Sequence, residues 1–127
     1  MPSDLFTPFR SATDIDGKVV GDTTLFTLPA SPAVDFIPMF VTFVPVSVLD
    51  LTLGPTVALG QDSAAFADLV AARVVTEDAF DVLTILPDGS DPRAVRPNNS
   101  LVCRVSVVAT ATTFLFRVIV YGHYEAI

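Results

Sequence analysis

The stretch FIPMFVTFVPVSVL, residues 36–49, carries no charge and lies between Asp35 and Asp50. No other feature limits the fold as much. The run is shorter than the roughly 20 apolar residues a membrane-spanning helix needs. Pro38 and Pro45 would each remove a helical hydrogen bond, and the Val and Phe residues that fill much of the run favour strands. It therefore reads as one strand, or as two strands bent at a proline. Its even positions include Phe36, Phe40, Val44, Val46 and Val48; its odd positions include Ile37, Met39, Val41, Phe43 and Leu49. A half-exposed strand alternates apolar with polar residues. Here both parities are apolar, so both faces are expected to be covered.

The segment TTFLFRVIVYGHYE, residues 112–125, poses the same question. Phe114, Phe116, Val118 and Val120 line one face. Leu115, Ile119 and Tyr121 share the other with Arg117 and His123. A core takes one set, and the second is too apolar to be left in water. The chain has 127 residues, of which 51% are hydrophobic and 17% charged. One domain of this size buries a limited share of its surface. Contact between subunits is the simplest place for the excess.

The remaining pattern is that of short strands and turns. Residues 1–18 hold prolines, small polar residues and isolated aromatics without a period, and read as an extended N-terminal arm in which Phe6 and Phe9 are possible anchors. The alternative is a loose terminus. Strand signals begin at Val19 and run to the end, so residues 19–127 form the domain. VVGDTTLFTLP places Thr24, Phe26 and Leu28 on one side, with Thr23, Leu25 and Thr27 on the other. DLTLGPTVALG suggests two short strands around Gly54-Pro55. In residues 62–75, Phe66, Leu69, Val70 and Arg73 fall at helical spacing, with Asp62 or Ser63 as cap, and the stretch reads as one short helix or an irregular loop. AFDVLTILPDG reads as a strand ending in a turn. SLVCRVSVVAT and the final segment read as an antiparallel hairpin turning near Thr110-Ala111. The fold class expected is all-β: an antiparallel β-sandwich of the jelly-roll kind with at most one short helix.

Chemistry-bearing residues are few. A single histidine, His123, and a single cysteine, Cys103, leave little for zinc or for a nucleophile–base pair. Val102 and Val105 beside Cys103 suggest a small core residue. Acidic groups at Glu77, Asp78 and Asp81 and at Asp88, Ser90 and Asp91 lack the alternating order of a calcium loop, and read as solvated turn carboxylates. No phosphate loop appears among the dispersed glycines. Asn98-Asn99-Ser100 matches the glycosylation pattern and reads more simply as a polar turn. Arg93 and Arg96 flank a loop and could meet a partner's carboxylates. The net charge of -7, with Lys18 the only lysine, excludes a nucleic-acid surface. The N-terminus lacks the basic start and apolar core of a secretory signal. No catalytic, cofactor or metal site is expected, and no enzyme activity.

Several short motifs resemble the small β-sandwich virion proteins of tailed bacteriophages. Leu25, Phe26, Thr27, Leu28 and Pro29 are similar to their first strand, and Phe36, Ile37 and Pro38 to the next. TVALG at 56–60 resembles a middle strand, and Val120, Tyr121 and Gly122 the closing one. The turn Ala30-Ser31-Pro32 and the alanine-rich 64–72 depart from that pattern. The resemblance implies a capsid decoration (cement) protein on the virion surface. It would be a homotrimer that clamps the major capsid protein and stabilises the head. Leu115, Ile119 and Tyr121 would form the subunit interface, and Phe6 and Phe9 the capsid contact. The alternative it leaves open is a tail or fibre head module gripping a host-surface glycan, with Tyr121 and Tyr124 as the aromatic platform.

Overall fold

A computed structural model describes residues 7–10, 14–31, 33–61, 69–76, 78, 80–89 and 95–126. Nine strands form two antiparallel sheets, and no helix occurs among these residues. The strands are β1 (Thr7–Arg10), β2 (Ile15–Asp16), β3 (Gly21–Thr27), β4 (Val34–Leu49), β5 (Thr56–Gly60), β6 (Val70–Val74), β7 (Leu83–Ile85), β8 (Ser100–Val107) and β9 (Thr113–Ala126). Sheet A has the order β1-β9-β4-β7, with β2 also paired to β9; sheet B has the order β3-β8-β5-β6. The expected all-β antiparallel sandwich is what the chain forms. Two stretches of the proposed arm, β1 and β2, add to sheet A along β9 of the same chain. Ile15 is part of the core.

The uncharged run is one continuous strand, β4, and its prolines explain its odd parity. Between β9 and β7, β4 is a central strand, where a residue without an N–H is tolerated mainly at a bulge. The pairing with β9 shifts register between Pro38 and Phe40 and again between Pro45 and Ser47. Met39 and Val46 are the extra residues, and each flips which parity faces inward. The inward set is therefore Phe36 and Pro38, then Val41, Phe43 and Pro45, then Val48. Both parities are apolar partly because both serve the core in turn. Covering of both faces is thus not required to explain the whole run, although Ile37, Phe40 and Val44 still point outward.

Opposite it, β9 is regular. Phe114, Phe116, Val118 and Val120 are fully buried, as their spacing predicts. Val57, Leu59, Val70, Leu101, Cys103 and Val105 close the core from sheet B. A bulge at Leu25 in β3 lets Leu25 and Leu28 be buried while Phe26 packs edge-on against Phe36, so the simple two-sided split of that strand fails. Gly122 is registered opposite Pro38 at the first bulge, where β9 and β4 approach closely: a Cβ there would lie 2.2 Å from the Ile37 carbonyl oxygen and 2.6 Å from Phe36 Cζ.

Three expectations are corrected. β8 and β9 do not pair with each other; they lie in opposite sheets and the chain crosses over at 108–112. Both strands present an apolar face to one core from its two sides, a relation that alternation along each strand cannot distinguish from a hairpin. Val70 and Arg73 belong to β6, paired with Leu59 and Val57, not to a helix; tertiary pairing overrides the alanine propensity. Phe66 and the caps Asp62 and Ser63 lie outside the described residues. Around Gly54-Pro55 there is one strand, β5; before it only Leu53 makes an isolated bridge, to Thr110.

Two substitutions test this packing by urea unfolding. Phe116→Ala, which empties a fully buried ring site, is expected to cost about 3–5 kcal/mol. Gly122→Ala, which forces a methyl against the Ile37 carbonyl, is expected to cost about 1–3 kcal/mol.

Candidate assembly surface

The outer face of sheet A is built by the regular strand β9 and the twice-bulged strand β4. Outward residues of β9 are Leu115, Arg117, Ile119, Tyr121 and His123, alternating with the buried set. Their partners on β4 are Ser47, Val44, Thr42, Phe40 and Ile37 respectively. The bulges keep these β4 side chains in step with β9. Phe40 and Tyr121 stack with ring centroids 4.7 Å apart and planes 26° apart. Thr42 shares a 2.9 Å hydroxyl–hydroxyl hydrogen bond with Thr84 of β7. The middle of this face is thus an apolar stripe of Ile37, Phe40, Val44, Leu115, Ile119 and Tyr121, each half-buried by its neighbours.

One charge interrupts it: Arg117, between Leu115 and Ile119 on β9 and opposite Val44. Arg117 Nε donates to Asp14 Oδ1 at 2.7 Å. His123 Nε2 lies 3.0 Å from Glu125 Oε2. Leu115, Ile119 and Tyr121, singled out from the sequence, therefore share one face and have apolar company on β4. Missing from that selection were Ile37, Phe40 and Val44, because their common side emerges only once the bulges set the register. Phe6 lies outside the described residues. Phe9 is registered opposite Val120 in the β1–β9 pair.

The groups with potential chemistry are dispersed. Cys103 is buried in sheet B, and burial, with a smaller contribution from the charge of Asp22, pushes its thiol up to about 12. His123 faces outward on sheet A, on the far side of the core. Asp88 is engaged by the Arg73 guanidinium and by the Ala71 N–H; Glu77, Ser90 and Asp91 lie outside the described residues. Among the described residues no group of three His, Cys, Asp or Glu side chains converges to hold a metal ion, and no helix is long and apolar enough to cross a membrane. Arg96 Nε sits 3.1 Å from Asp35 Oδ1; Arg93 is outside the described residues. Asn98, with φ 66°, and Asn99 form the turn before β8, tied to Leu28 by hydrogen bonds in both directions.

No family model matches the sequence, and no curated protein matches it. Solved structures do. The fold is similar to that of a chain in the capsid asymmetric unit of cyanophage Pam1. That match has a TM-score of 0.61 at 16% identity, over 96% of this chain and 85% of that one. A chain in the capsid of Ralstonia phage GP4 gives 0.58 at 16% identity, over 99% and 90%. Two phage capsids hold this fold. At such low identity the likeness is one of architecture, and it spans the whole sandwich, not one sheet.

The thiol state gives a direct check on Cys103. With its pKa raised, the group is protonated at neutral pH, and the native chain should not react with a disulfide thiol reagent. Reaction should appear only when denaturant unfolds the core. Labelling of the native protein at the rate of a free thiol would show an open core.

Proposed function

We propose that this chain is a structural protein of a bacteriophage virion, a decoration (cement) protein on the capsid surface that acts as a homotrimer and clamps the major capsid protein. The observation that carries the reading is the apolar stripe on the outer face of sheet A. Ile119, Tyr121 and Phe40 at its centre stand where a second copy would bury them. The likeness to chains of two phage capsids supports the setting. Those chains are only slightly longer than this one, the size of a small accessory subunit. The order β1/β2-β9-β4-β7 facing β3-β8-β5-β6 supports the jelly-roll reading, with β1 and β2 sharing the first strand position.

The mechanism is linkage. A protein that binds the assembled shell but not its separated subunits stabilises the shell by its binding free energy, and many copies add up. In this reading Leu115, Ile119 and Tyr121 join the subunits, while Phe6 and Phe9 of the N-terminal segment contribute to the capsid contact. No catalytic step, cofactor or nucleic acid enters it. The glycan-binding alternative has less support. Tyr121 already lies against Phe40, so its ring face is not free as a sugar platform. A glycan array showing saturable binding would reverse that preference.

Ile119→Asp places a charge in the stripe without touching the core. It is expected to give monomers at low micromolar concentration by light scattering, where the parent chain is trimeric. A variant that remains trimeric removes this face from the interface. Deletion of residues 1–6, which takes Phe6 and spares β1, is expected to leave the trimer intact and weaken shell binding. Full occupancy of shells by the truncated chain would assign the capsid contact elsewhere.

A further inference from the structure

The two ends of the sandwich differ. Strands β3, β5 and β9 begin, and β4, β6 and β8 finish, at one end, together with the described residues 17–20, 50–55, 75–76, 78, 80–82 and 108–112. Large apolar side chains stand in solvent there: Val19, Val20, Leu53, Phe80, Val107 and Val108, between 41% and 73% exposed. At the opposite end, among the described residues, the exposed large apolar groups are Leu86 and Tyr124.

Backbone hydrogen bonds tie the segments that carry these side chains. The Ala109 N–H donates to the Gly17 carbonyl at 2.8 Å, and the Thr110 N–H to the Leu53 carbonyl at 2.7 Å. Thr112 N–H reaches the Leu49 carbonyl at 2.8 Å, and Val75 N–H the Pro55 carbonyl at 3.0 Å. The Lys18 ammonium holds the Ala111 carbonyl. Gly54 passes so close beneath Val75 that a Cβ would lie 1.6 Å from its carbonyl oxygen. Phe80 is held with φ 64°, a left-handed conformation unfavourable for a bulky side chain, while its ring is 73% exposed. An apolar surface already fixed in place loses little entropy on binding.

The charge around it selects the occupant. Asp50, Asp78 and Asp81 are exposed on these connections and Asp16 at the adjoining end of β2, and Lys18 is the one cation beside them among the described residues. Two copies meeting end to end would bring these carboxylates together, which opposes self-association. The complement is a protein surface with an apolar centre and a lysine- and arginine-bearing rim.

Building on the decoration reading, we propose that this loop end is a second shell-docking surface beside the contact given to Phe6 and Phe9, and that it seats on such a basic-rimmed apolar patch of the capsid. It is a different surface from the outer face of sheet A, so trimer formation and docking do not compete.

The test uses heads of the encoding phage assembled without this protein, with the full-length chain added back. Val20→Asp combined with Val108→Asp alters only exposed side chains. It should remain folded and trimeric and bind heads about 100-fold more weakly. Phe80→Gly replaces a residue in a conformation that glycine adopts freely; it should melt no lower than the parent and still bind heads less well. Parent binding should weaken as salt is raised. Parent-like occupancy by both variants overturns the docking assignment and leaves the decoration reading standing. A change of oligomeric state in the double variant, seen by sedimentation, overturns it by making the loop end a contact between copies. Failure of the parent chain to bind heads overturns the decoration reading and this assignment with it.

Discussion

The absence of an N–H on proline governs the organisation of sheet A. Pro38 and Pro45 lie in a strand flanked on both sides, where every other residue can donate to the ladder. The chain accommodates them by inserting Met39 and Val46 as bulge residues. Each insertion re-aims the side chains that follow. A regular strand starting from Phe36 would turn Phe40 and Val44 into the core and leave Val41 and Phe43 outside. With the bulges, Val41 and Phe43 are fully buried against Val118 and Val120 of β9, and Phe40 emerges beside Tyr121. Both the core and the outer stripe therefore depend on the same two interruptions.

That dependence explains what was legible in the sequence. β9 keeps one register from end to end, so simple alternation separated Phe114, Phe116, Val118 and Val120 from Leu115, Ile119 and Tyr121 without error. β4 obeys the same physics, but its period is reset twice, and counting from one end mixes the two faces. Its prolines carried the signal of where the resets fall. Pairing between distant segments was not readable at all. That β8 crosses to the other sheet from β9, and that an alanine-bearing segment becomes β6, are decided by which apolar faces meet across the core. Local preference holds no record of those choices. The loop-end patch escaped notice for a related reason: the connections that carry Val19, Leu53 and Val108 are far apart in sequence and are tied together only through the topology.

The surfaces of the two sheets are finished differently. Around sheet B, Arg104 makes two bonds to Asp22, at 2.6 and 3.0 Å, and Arg73 holds Asp88 beside the edge strand β6. Partly exposed pairs of this kind add little to stability. Their effect is to make that surface compatible with water and to discourage strand addition at the edge. Sheet A carries one such pair, Arg117 with Asp14, but the rest of its outer face is the apolar group of Ile37, Phe40, Val44, Leu115, Ile119 and Tyr121. The asymmetry itself argues for contact through sheet A: a chain that keeps one sheet polar has the means to do so for both.

A net charge of -7 on a small domain gives copies of the chain a mutual repulsion at long range. Association between copies must then come from a short-range term that exceeds it, and apolar burial is the available one, since the one charge within the stripe on sheet A, Arg117, is already paired with Asp14 of the same chain. At about 25 cal/mol per Å² of apolar area, only a contact covering much of that face has the strength. This favours strands over loops as the contact between copies, because a sheet face is broad, nearly flat and fixed by two ladders. The connections at the end of the sandwich are smaller and rimmed with carboxylates, and for them the same negative field works in the opposite sense. It repels another copy and attracts a surface of the other sign, so the single charge distribution distinguishes the two kinds of partner.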